Sequence, residues 1–131
     1  MWKRPQIRRW IAKDLIGMPA PNLMAALNAP IARMFARQVD ASEQQLRSDL
    51  AELPTLLERV DSLIAAGTIG RDEPNAADFQ IGTSIRVLLA FEDLSPMIAD
   101  RPAADLAMRI LPTYPATIPP VLPPEWLPAP D

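Results

Sequence analysis

Residues 67–94, Gly67-TIGRDEPNAADFQIGTSIRVLLAFED-Leu94, decide how the rest of the chain is read. A loop punctuated by Gly67, Gly70 and Pro74 ends at Asn75, one of the strongest helix-capping residues. Asp78 follows three positions later, where a carboxylate can reach back to the cap's own backbone N–H. The pair therefore predicts a capping box, with negative charge placed at the positive end of a new helix. Pro74 and Phe79 flank it as a hydrophobic staple would. Beyond them Ile81, Ile85, Val87, Leu88, Leu89 and Phe91 are apolar on most sides, which predicts a helix in the middle of a bundle.

Upstream of the loop, Leu46, Leu50, Leu53, Leu57, Val60 and Ile64 recur at spacings of four and three, keeping one helix face apolar. Leu56 and Leu63 widen that stripe, so the helix is expected to meet more than one neighbour. Ser42 and Gln45 form a second candidate capping box at its start. Pro54 falls inside the pattern without shifting its phase and predicts a kink near 50–54. Gly67 closes the helix.

Downstream, Pro102 fits the first turn of a helix starting at Asp100 or Arg101, where a missing N–H costs least. Ala103, Leu106, Ala107 and Ile110 form its inner face. Eight of the sixteen prolines then fall between 112 and 130, so residues 112–131 read as an extended tail on a helical bundle spanning 1–111. Trp126 and Leu127 are its expected anchors. Nearer the N-terminus, Ile7, Trp10, Ile11 and Leu15 mark an amphipathic helix, ended by Gly17, Pro19 and Pro21. A second helical stretch covers 22–39, restarted at Pro30, with Ile31, Met34, Phe35 and Val39 on its apolar face.

The fold class is therefore all-α. Composition agrees: aromatic residues make up 5% of the 131-residue chain, and Leu, Ile, Ala and Met must build the core. The chain contains neither cysteine nor histidine, which removes thiol and imidazole nucleophiles, disulfides and the usual zinc or haem ligands. No metal site is expected. Net charge is −3, but residues 1–40 are basic and the remainder acidic. A basic front can attract nucleic acid or anionic lipid. A solvated helix face complementing the acidic remainder is the simpler reading, so neither partner is expected. No apolar run reaches the roughly 18–20 residues that span a bilayer, and Lys13 and Asp14 interrupt any signal-peptide core. The expected location is cytoplasmic.

The stretch 67–94, with its capped Asn75-Ala-Ala-Asp78, resembles the heart of the C-terminal helical domain of glutathione S-transferases. The resemblance extends over about residues 22–127; RPAADLAMRILP and the PPEWL tail are similar to a bacterial branch of the family. It implies a structural role for Asn75 and Asp78, closing the helix end and nucleating the domain. It also implies that Arg33, Met34 and Arg37 contribute to the wall of the hydrophobic co-substrate site. The family's thioredoxin-like domain, which holds glutathione and activates its sulfur, has no counterpart in the sequence. Accordingly no catalytic residue and no cofactor is assigned to this chain, glutathione being the co-substrate of the full-length family. The expected partner is a second copy or the missing thioredoxin-like domain.

Two classes of function follow: a transferase domain supplying the co-substrate wall, or a non-catalytic helical interaction module. The adjacent carboxylates Glu92–Asp93 and Asp72–Glu73 do not read as acid–base pairs. Neighbouring residues do not share a helix face, and the second pair reads as solvated loop.

Overall fold

The computed structural model describes Met34 and residues 42–128 of the chain. The chain divides into two compact units, Met1–Asp49 and Leu50–Asp131, and the boundary falls within the first long helix described. Four helices are described from residue 42 onward: α1 Glu43–Ala65, α2 Ala76–Leu89, α3 Ser95–Ile98 and α4 Pro102–Ile110. A single 3-10 turn follows at Pro124–Trp126. No strand occurs among the described residues, so the described fold is all-α.

α1 starts where Ser42 Oγ accepts the Gln45 backbone N–H at 3.1 Å. The Gln45 side-chain amide donates onward to Asp49 Oδ1 at 2.8 Å, one turn ahead. The helix runs through Pro54 as one element. It ends in a Schellman turn. The Thr68 N–H reaches the Leu63 carbonyl at 3.0 Å and the Gly67 N–H reaches Ile64 at 2.9 Å, satisfying carbonyls that the helix end leaves open. That turn needs a left-handed residue, and Gly67 supplies it with φ 65°. The Arg71 guanidinium closes over the turn by donating to the Gly67 carbonyl. Leu50 and Leu57 are buried, whereas Leu56 is 50% exposed. The widened stripe expected from Leu56 is thus corrected: its side chain lies on the solvent side of the helix.

α2 also departs from its expected setting. It buries one stripe, Asp78, Gly82 and Ile85, while Phe79 is 54% and Val87 39% exposed. The residues 78, 82 and 85 follow the four-and-three spacing of a single helix face, and 79 and 87 lie off it. Composition alone could not tell an all-round apolar helix from one packed on a single side.

The face that α2 buries packs on α4. A Cβ placed on Gly82 would stand 3.0 Å from Ile110 Cγ1 and 3.1 Å from its Cβ, so the missing side chain is what lets the two helices approach. Ala103, Ala104, Leu106 and Ala107 are all buried on α4. Small residues on both helices thus make the contact close. Arg86 continues it beyond the helix end, its Nε donating to the Leu111 carbonyl at 3.1 Å, with the guanidinium 5.5 Å from the centre of the Tyr114 ring.

The tail is extended and runs back over the end of α2. Phe91 and Ile118 form an isolated parallel bridge. The Ile118 N–H donates to the Ala90 carbonyl at 2.7 Å, and the Glu92 N–H donates to the Ile118 carbonyl at 2.9 Å. Leu122 is the buried tail residue at 8% exposure, and Trp126 and Leu127, the expected anchors, are half-buried. Leu122 is pinned because its own N–H donates to the Asp93 carboxylate. No described helix is long and apolar enough to cross a membrane.

Candidate functional site

The polar organisation of the described region rests on three aspartates, each accepting at least one backbone N–H. Asp78 is the most enclosed, with no solvent-exposed surface. Its Oδ2 accepts the Asn75 N–H at 2.7 Å, and its Oδ1 accepts the Gly70 N–H at 2.5 Å. Asn75 Oδ1 in return accepts from Ala77 at 2.8 Å and Asp78 at 3.2 Å, completing a reciprocal capping box. The Asn75 amide also donates to the Thr68 carbonyl at 3.1 Å. One box therefore fastens the start of α2 to the loop leaving α1. Gly70 can present its N–H there because it sits at φ 79°.

The hydrogen bonds from Asn75 and then Gly70 draw the Asp78 carboxyl below its usual range. Burial pushes the other way, and the nearby Arg109 charge adds to the lowering. The ionised form prevails because donors aimed at both oxygens replace the lost water.

Asp61, on α1, serves the start of α4. Its Oδ1 accepts the Ala103 N–H at 3.0 Å, and its Oδ2 pairs with Arg101 at 2.9 Å. Arg101 Nε donates in addition to the Met97 carbonyl at 3.2 Å. The N-cap position Arg101 has no capping oxygen of its own, so a side chain forty residues away performs the task. Asp93 does the same for the tail: its Oδ2 accepts both Val121 N–H, at 2.7 Å, and Leu122 N–H, at 3.1 Å.

Chemically, these groups cap and tether. A carboxylate whose oxygens already accept two donors is poorly placed to relay protons to a substrate. Among the described residues, no group of three or more Asp or Glu side chains is arranged to hold a metal ion. Glu92 is exposed and Asp93 faces the tail, so the adjacent pair does not converge on one point.

Of the residues expected in the co-substrate wall, Met34 is helical and 58% exposed; Arg33 and Arg37 lie outside the described residues. The expected Asn75 and Asp78 meet in one box. Asp61 and Asp93 carry no capping signal in the sequence. Their partners lie forty-two and twenty-eight residues ahead, beyond the reach of any local motif. Comparison with family models, curated proteins and solved structures finds no match for this chain.

Proposed function

We propose that this chain is a glutathione S-transferase-like helical domain that supplies the wall of a hydrophobic co-substrate site and leaves glutathione activation to a thioredoxin-like partner domain. The observation that carries the reading is the reciprocal Asn75–Asp78 box, buried at Asp78 and opening a helix that packs closely on α4. It joins the residue pattern that resembles the family to a structural role of the kind the resemblance implies. Conjugation requires a thiolate made available by a hydrogen-bond donor that lowers the thiol's pKa. No residue of this chain is assigned to that step. The wall is assigned to Arg33, Met34 and Arg37, with apolar contact from Met34 and positive charge from the two arginines.

The second reading, a non-catalytic interaction module, is favoured by Phe79 and Val87, which lie two turns apart on α2 and are both more than a third exposed.

Two titrations separate the readings. Calorimetry with glutathione is expected to give no saturable heat; a stoichiometric site would overturn the proposed division of labour. The apolar anion 1-anilinonaphthalene-8-sulfonate is expected to bind saturably, and Met34→Glu combined with Arg37→Glu should abolish that binding. Binding that survives both substitutions would remove the assigned wall and leave the interaction module standing.

A further inference from the structure

The tail and the surface it lies on fit each other as a peptide fits a reader. From Ile118 to Pro124 the segment is IPPVLPP. Pro119, Pro120, Pro123 and Pro124 carry no N–H, so only Ile118, Val121 and Leu122 have backbone donors to satisfy. All three are satisfied on the same surface: Ile118 by the Ala90 carbonyl, and Val121 and Leu122 by Asp93 Oδ2. The Glu92 N–H returns a bond to the Ile118 carbonyl, and Leu122 supplies the buried apolar contact.

The dock thus reads an extended backbone with donors at the first, fourth and fifth positions and none between. It combines strand-like main-chain pairing with a proline-stiffened ligand, two established ways of holding a peptide. The prolines restrict the free tail, so less conformational entropy is lost when it seats.

Nothing in these bonds depends on the tail and the dock belonging to the same molecule. Leu111–Thr117 connects the last turn of α4 to the docked segment. Those seven residues can extend roughly 23–25 Å, and Pro112 and Pro115 stiffen them toward open conformations. Exchange between two copies would keep every dock contact and re-route only the connector, most simply beyond Tyr114 so that the Arg86 contacts to Leu111 and Tyr114 stay in place, which is the low-cost route to a dimer.

We propose that the surface formed by Ala90–Asp93 is a peptide-docking site, and that its occupant in trans is the Ile118–Pro124 segment of a second copy of this chain, giving a tail-exchanged dimer. In cis the tether holds the tail at an effective concentration in about the millimolar range, so exchange emerges as protein concentration approaches that value. This assignment stands apart from any transferase role.

The test uses full-length chains. Asp93→Ala damages the dock and keeps the tail. Val121→Pro with Leu122→Pro removes both tail donors and keeps the dock. In sedimentation velocity at concentrations approaching about 1 mM, wild type is expected to show a growing dimer fraction. Each variant alone should show less than a tenth of it. An equimolar mixture of the two should recover a heterodimer through the one intact tail and the one intact dock. A synthetic peptide of residues 117–127 in excess should dissolve the wild-type dimer whether or not the variants fold. Because the chain has no cysteine, Glu125→Cys, at an exposed tail position, allows donor- and acceptor-labelled populations to report the same association by energy transfer. A wild type that stays monomeric, a mixture that gives no heterodimer from folded variants, or a dimer indifferent to the peptide would each overturn the assignment.

Discussion

Replacing Gly82 with alanine tests the close approach of α2 and α4. In an exposed helix interior the substitution stabilises by about 0.8–1.0 kcal/mol, because glycine loses more backbone freedom on folding. At Gly82 the added methyl would meet Ile110 Cγ1 at 3.0 Å, Cβ at 3.1 Å and Cγ2 at 3.5 Å. Rotation about χ1 can move the γ carbons but cannot move Cβ, so α2 and α4 must separate by a few tenths of an ångström. Overpacking of this kind costs about 1–3 kcal/mol. The two effects oppose each other, and the larger steric cost leaves a net destabilisation of about 1 kcal/mol. Equilibrium urea unfolding, followed by far-UV circular dichroism, reads this directly as a lower midpoint with an unchanged slope. A double-mutant cycle with Ile110→Val sharpens it. Trimming the δ methyl leaves the Cβ contact in place, so most of the penalty should persist, whereas Ile110→Ala removes both γ carbons and should recover at least about 0.5 kcal/mol of coupling. Should Gly82→Ala stabilise the protein by the full helix-propensity gain, the close α2–α4 approach would be refuted.

Asp61 should matter more than its ion-pair partner. Asp61→Ala removes the cap of α4 along with the Arg101 pair and is expected to cost about 1–2 kcal/mol in the same assay. Arg101→Ala, which leaves the cap, should cost under about 1 kcal/mol, since the pair is partly exposed; equal costs would contradict the capping role. The lowered Asp78 carboxyl sets a pH dependence. Its contribution to stability is fully present above the unfolded aspartate value of about 3.9 and is lost as pH falls from there through the lower folded value. Urea midpoints measured from pH 5 down to pH 2 should therefore fall more steeply for wild type than for Asp78→Asn, and parallel curves would show that Asp78 is not the group being titrated.

What could be read from sequence was local. The Asn75-Ala-Ala-Asp78 box spans one helical turn, and its four residues contain both halves of the bond pattern. Gly67 closes α1 and Pro102 opens α4 for equally short-range reasons, a left-handed backbone in one case and a dispensable N–H in the other. The leucine spacing between 46 and 64 fixes a helical period, and the absence of β-branched runs makes the described part all-α. Of the candidate wall, only Met34 is described, helical and exposed, and the pattern in sequence could give its helical face but not what stands opposite.

Tertiary structure decided the rest, because it depends on which surfaces meet. Phe79 and Val87 are as apolar as Ile85, yet of the three only Ile85 is buried. Gly82 looks like a weak point in a helix until Ile110 is seen to fill the space its side chain would occupy. Asp61 and Asp93 read as ordinary surface carboxylates, and they become caps only when folding brings the N–H groups of Ala103, Val121 and Leu122 to them. A periodic pattern specifies the element and its apolar face. The partner on that face is chosen by steric fit and by buried donors that must find acceptors, and neither is a property of neighbouring residues in the chain.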